Sequence, residues 1–204
     1  GPETGVKDRA SYVLQQGKVR LVLTTSFDPE SEISKHVSQH GDGVKVLALW
    51  VDDAEKSFYE TTKRGAEPAF SPKVLRDSQG EVKLAAIKTY GETIHTFVER
   101  KNYKGAFLPG FEPVDKPALS STLGLLHVDH CVGNVELGDM NRWVKFYEDV
   151  MGFKLLITFD DTDISTEYTS LMYRSHLRQT RITSRAKTER GTETWSNGAI
   201  SAGK

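Results

Sequence analysis

Short apolar runs separated by polar turns set the pattern of this chain, and their spacing changes along its length. The stretch from Lys18 to Thr25 alternates like a half-buried strand, and Val44–Val51 is a β-branched, apolar run that reads as a buried one. Asp52 and Asp53 then offer side-chain caps for a helix to about Arg64, with Gly65 as its stop. Ala54, Phe58 and Thr61 share one face of that helix, which predicts that Phe58 is buried between helix and sheet. Three strands follow, around 69–76, 81–88 and 93–99, with turns at Asp77–Gly80 and Tyr90–Glu92. The order is strand, helix, strand, strand, strand.

Residues 101–123 carry Pro109, Gly110, Pro113 and Pro117 without periodicity and read as a linker. After it the order restarts. Leu126–Gly133 reads as a strand and Gly138–Val150 as an amphipathic helix with Met140, Trp143, Val144 and Tyr147 on one stripe. Two more strands are expected, at 153–159 and 166–172. The two helices also share Phe58-Tyr59-Glu60 and Phe146-Tyr147-Glu148, and together these features point to duplicated βαβββ modules in an α+β fold. Past Met172 neither period is kept, and Ser, Thr, Gly and Arg dominate, which reads as a disordered tail over 173–204. At the other end, the strand at 18–25 has little ahead of it to pair with, which points to a missing leading segment.

Composition narrows the function classes. The 204 residues hold 27 Lys and Arg against 28 Asp and Glu, a formal net charge of −1. That balance supplies no electrostatic reason for a nucleic acid or an anionic membrane as partner. No apolar run approaches the roughly 20 residues of a membrane-spanning helix. Cys131 is the single cysteine, so an internal disulfide and a thiolate-rich metal site are both excluded, and a cytoplasmic setting is expected.

Six histidines remain as candidate chemistry. His127-Val128-Asp129-His130 is the most ligand-like group. On a strand, His127 and His130 face opposite ways, so at most one of them is a metal ligand. His36 and His40 have helical i, i+4 spacing but lack the glutamate of a zinc-protease pattern, and read as solvated helix histidines. Cys131 has no acid or base near it in sequence and reads as an inert packed thiol. No phosphate loop or nucleophile elbow is present, and these residues by themselves name no reaction.

Longer motifs do. Gly1-Pro-Glu-Thr-Gly5, Arg9-Ala-Ser-Tyr-Val-Leu14, Gly17-Lys-Val-Arg20, His40-Gly-Asp-Gly-Val44, Thr89-Tyr-Gly91 and Phe107-Leu-Pro-Gly-Phe111 occur in that order. Val128-Asp-His-Cys-Val-Gly-Asn-Val-Glu-Leu137, Phe146-Tyr147, Val150-Met-Gly-Phe153 and Thr166-Glu-Tyr168 continue the series. Over residues 1 to about 172 the chain resembles the 4-hydroxyphenylpyruvate dioxygenases. The resemblance implies the vicinal oxygen chelate fold of paired βαβββ modules, truncated here at both ends. It implies a structural N-terminal domain over 1–100, the linker 101–123, the first part of a catalytic iron domain over 124–172, and a non-homologous tail over 173–204.

The implied activity converts 4-hydroxyphenylpyruvate and O₂ to homogentisate and CO₂ in tyrosine catabolism, using Fe(II). Two histidines and a carboxylate would hold the iron, leaving positions for the 2-oxo acid and O₂. His130 matches the family's first iron-ligand histidine. Asp129 either orients a ligand or lies on the surface. Val46 stands where the corresponding N-terminal strand would need its histidine, in keeping with a domain that binds no iron. The resemblance ends after Met172. Tyr173 occupies the place of a substrate-contacting serine, and the motifs of the second histidine and the glutamate are not found in 173–204, which resembles a frameshifted or read-through segment.

The chain as given is therefore expected to be inactive, with one iron ligand of three. Its side of the site should show His130 on a concave sheet face, not paired to a carboxylate. A homo-oligomer is expected for the full-length protein. Hydroxymandelate synthase, a relative using the same substrate and iron, and a non-catalytic binding module on the same scaffold are the alternative readings.

Overall fold

The computed structural model describes residues 1, 4–114, 123–136, 138–159, 168–174, 181–187 and 200–201, with side chains as far as Leu155. The chain divides into two compact units. One comprises residues 1–43, 74–82 and 100–127, the other residues 44–73, 83–99 and 128–204.

The first unit begins with a hairpin of β1 (Arg9–Gln16) and β2 (Val19–Ser26), antiparallel in the register Gln16↔Val19 to Arg9↔Ser26. The strand read at 18–25 therefore has a partner, and the expectation of an unpaired strand is corrected. The signal was the two-residue Gly17-Lys18 loop, with Gly17 at φ 55°, as tight hairpins require. Consecutive Tyr12, Val13 and Leu14 blur the period of two in β1. Tyr12, Leu14, Leu23 and Phe27 are exposed. Helix α1 (Glu32–His40) follows, capped by Ser31, whose hydroxyl accepts from the Ser34 N–H at 3.1 Å.

The second unit carries the repeat. β3 (Val46–Trp50), α2 (Ala54–Lys63), β4 (Pro68–Asp77), β5 (Gly80–Lys88) and β6 (Ile94–Glu99) form a sheet in the order β3-β6-β5-β4, β4 and β5 each running on into the first unit. β7 (His130–Val135), α3 (Met140–Lys145), β8 (Lys154–Phe159), β9 (Tyr168–Arg174) and β10 (Arg181–Lys187) repeat it as β7-β10-β9-β8. In each module the first and last strands pair in parallel and the rest of the ladder is antiparallel where its register is defined. A short β11 (Ile200–Ser201) adds to the free edge of β7. The expected modules are present.

The segment 173–204 differs from its reading. Arg181–Lys187 is a full strand between β7 and β9. Its alternation is weak, with Ile182, Ser184 and Ala186 against Arg181, Thr183, Arg185 and Lys187, but two strand edges wait for a partner there. Residues 160–167, 175–180, 188–199 and 202–204 lie outside the described residues, as do 115–122 of the expected linker and the first two residues of the strand read at 166–172.

The two modules share one core. Asp53 caps α2 by accepting from the Lys56 N–H at 2.9 Å, and the buried Glu99 carboxylate accepts from the Ala54 N–H at 3.2 Å and pairs with Lys83 at 3.5 Å. These contacts set the start of α2 where its partial positive charge favours a carboxylate. Phe58 is buried among Ala54, Ala66, Ala85, Ile87 and Phe97 of the first module and Val150 of the second. After Lys145 the second helix widens into a π turn, Phe146–Val150, which turns both Tyr147 and Val150 inward.

Candidate metal centre

β7 starts later than the sequence pattern predicts, at His130 instead of Leu126. Its backbone is fixed on one side by β10, with Arg181 opposite His130, and on the other by β11. His130 is half-buried, and Asp129, just before the strand, has its Oδ2 at 2.8 Å from His130 Nδ1. The expectation that His130 has no carboxylate partner is thus overturned. The reason lies in the strand boundary: outside the ladder, Asp129 is released from the pleat that would send neighbouring side chains to opposite faces. His127 is exposed and lies outside the strand.

The pairing has a chemical consequence. A carboxylate accepting from Nδ1–H holds the proton on that nitrogen and leaves Nε2 as the metal-binding lone pair, the usual outer support of a ligating histidine. Cys131, next in the strand, is half-buried, and burial pushes its thiol up. Among the described residues His130 belongs to no group of three ligand side chains.

Beside β7 is a polar chain that the sequence reading missed. Tyr147 is fully buried, and its hydroxyl is hydrogen-bonded with His95 Nε2 at 2.9 Å. Tyr90 shares a hydrogen bond with Tyr147 and packs edge-on against Trp143 at 5.4 Å between ring centroids. Burial raises the Tyr90 phenol, the Tyr147 hydroxyl opposes that rise, and Cys131 adds to it. Gly133 is needed for this approach, since a Cβ there would overlap the Tyr90 hydroxyl. The available signal was a histidine among the apolar residues Ile94, Phe97 and Val98 of β6.

Burial pushes His95 from 6.5 down to about 4. The Leu47 carbonyl weakly opposes this, without a normal hydrogen bond to Nδ1. Between pH 6.5 and about 4 the unfolded chain binds a proton at His95 that the folded chain refuses. The neutral-ring contribution is therefore complete above pH 6.5 and is lost as pH falls through this window. The expected loss is about 3 kcal/mol once both states are protonated. Urea melts at stepped pH check it, and a His95→Gln variant should show a flatter slope in this window. An unchanged slope in that variant would assign the acid sensitivity to other groups.

Comparison with known proteins decides the family. Residues 5–111 match the model of the hydroxyphenylpyruvate dioxygenase N-terminal domain. The chain belongs to the hydroxyphenylpyruvate dioxygenase family. It is 40% identical over 182 residues to a 4-hydroxyphenylpyruvate dioxygenase of Yarrowia lipolytica, covering 84% of this chain and 46% of that protein. With the Aspergillus fumigatus 4-hydroxyphenylpyruvate dioxygenase it shares 40% over 191 residues, 84% of this chain and 47% of the relative. The chain thus spans about half the length of the curated relatives it matches. A solved mutant of 4-hydroxymandelate synthase from Streptomyces coelicolor superposes with a TM-score of 0.75 at 22% identity, covering 98% of this chain and 59% of that one. That likeness establishes the vicinal oxygen chelate fold that the family resemblance implied.

Proposed function

We propose that this chain is part of an Fe(II)-dependent 4-hydroxyphenylpyruvate dioxygenase, and that His130 is one of its iron ligands. The observation that carries the reading is the half-buried His130–Asp129 pair at the start of β7, in a chain about 40% identical to enzymes of that name. The bound iron would supply the activation of O₂ for oxidative decarboxylation of the 2-oxo acid and hydroxylation of its ring. The protein's own part begins with orientation. The β7–β10 ladder fixes the backbone of His130, Asp129 holds Nδ1–H, and Nε2 is left to bind metal. The remaining ligands would come from outside this segment. Domain limits at 1–100, 101–123, 124–172 and 173–204 belong to the same proposal. No helix among the described residues is long and apolar enough to cross a membrane, and a cytoplasmic setting, supported by the free Cys131, is part of the reading.

The test is oxygen uptake with ferrous iron, ascorbate and 4-hydroxyphenylpyruvate, with products separated by chromatography. A full-length protein containing this segment should form homogentisate and CO₂. 4-Hydroxymandelate as the product would replace the reading with the synthase, and iron binding without turnover would favour a non-catalytic module. The 204-residue chain alone should form neither product, because one histidine cannot organise a catalytic ferrous ion.

Asp129→Asn in the full-length protein separates support from ligation. It should weaken iron binding by roughly 10- to 100-fold while leaving the fold intact. Equal iron affinity in the variant and the unsubstituted protein would show that Asp129 does not support the ligand.

A further inference from the structure

We propose that α1 carries a metal site separate from the iron centre, in which His36 and His40 chelate a borderline divalent cation of the Zn²⁺, Ni²⁺ and Cu²⁺ class. The two residues are one turn apart on the same helix face. Their rings lie 4.6 Å apart between centroids with a 45° tilt, and one ring nitrogen of each is within 4.8 Å of the other's. Both are half-buried, unlike the solvated histidines that the spacing implied.

Zinc–imidazole bonds of about 2.0–2.1 Å require the two nitrogens to close to roughly 3 Å. Small side-chain rotations supply that movement, because the helix already fixes the rise and rotation between the two residues. The helix end is well defined. Gly41, at φ 72°, terminates α1 by donating its N–H to the Val37 carbonyl at 2.8 Å. His40 thus sits in the last turn, where the exposed carbonyls favour a positive charge.

The chemistry selects the ion. Neutral imidazole pairs bind Ni²⁺, Cu²⁺ and Zn²⁺ more tightly than Fe²⁺, following the general order of divalent stabilities. With two protein donors, water or a small anion completes the coordination, so the site is weaker than a closed structural zinc site. It differs from the iron centre in its residues, its element and its preferred ion. Metal content measured after purification on nickel or in zinc-containing buffer would therefore include ions held by α1.

The experiment is Zn²⁺ titration of the 204-residue chain by calorimetry. One ion should bind saturably, and His36→Ala and His40→Ala should each weaken it by roughly tenfold or more. His130→Ala should leave the affinity unchanged. Circular dichroism establishes that α1 persists in the variants. If alanine disturbs the helix, the unsubstituted chain supplies the answer: substoichiometric Ni²⁺ should broaden the ring-proton resonances of two histidines ahead of the other four. The proposal is overturned if either alanine variant, correctly folded, binds Zn²⁺ like the unsubstituted chain. It is also overturned by binding that disappears with His130→Ala, by equal broadening of all histidines, or by no saturable uptake at millimolar Zn²⁺.

Discussion

His130→Ala in the full-length protein is expected to abolish both retained iron and homogentisate formation while leaving secondary structure intact. The asymmetry follows from where the side chain stands. His130 is half-buried at the first ladder position of β7, outside the core clusters around Phe58 and Tyr147, so its removal opens no large cavity. In the proposed site it would remove one of three protein donors, and a site with two donors would lose the chelate that holds a weakly binding ferrous ion. His127→Ala is the control, because His127 is exposed and lies outside the strand. Iron analysis and circular dichroism on the same samples read the result. Stoichiometric iron with normal turnover in His130→Ala would show that the ligand lies elsewhere.

Phe58→Ala should cost about 3–5 kcal/mol, a large share of the roughly 5–15 kcal/mol available to a domain. The upper part of that range is expected because the surroundings cannot close the cavity. Ala54, Ala66 and Ala85 are already small, and Ile87 and Phe97 are held in the β5–β6 ladder. Val150 comes from the second module, so the loss should reach both modules and appear as one cooperative transition. Phe58→Leu, which keeps most of the volume, should retain most of the stability. Denaturant melts of the three proteins provide the test. A change below about 1 kcal/mol for Phe58→Ala would mean that the shared core does not depend on this ring.

Local patterns were legible wherever one period dominated. The α2 stripe of Ala54, Phe58 and Thr61 was readable because a helix with one buried face repeats every 3.6 residues, and those residues are buried. β3, β5 and β6 were readable as short β-branched runs between turn residues, and the second copy of the order exposed the repeat. β1 was harder, because its apolar residues run consecutively. β10 was harder still: seven residues of mostly polar character become a strand through partners more than 40 residues away in β7 and immediately before it in β9.

The site divides along the same line. Sequence by itself determined the strand and helix order of the first module and the family, because each rests on residues close together or on motifs in a set order. Tertiary structure decided which groups meet. It put Asp129 on His130 by starting β7 one residue after that aspartate, and buried His95 against Tyr147, 52 residues away. It also drew the Phe58 and Val150 faces into a single core. Those outcomes depend on strand boundaries and on packing between distant segments, where burial removes water as the competing hydrogen-bond partner, and neither is written in local periodicity.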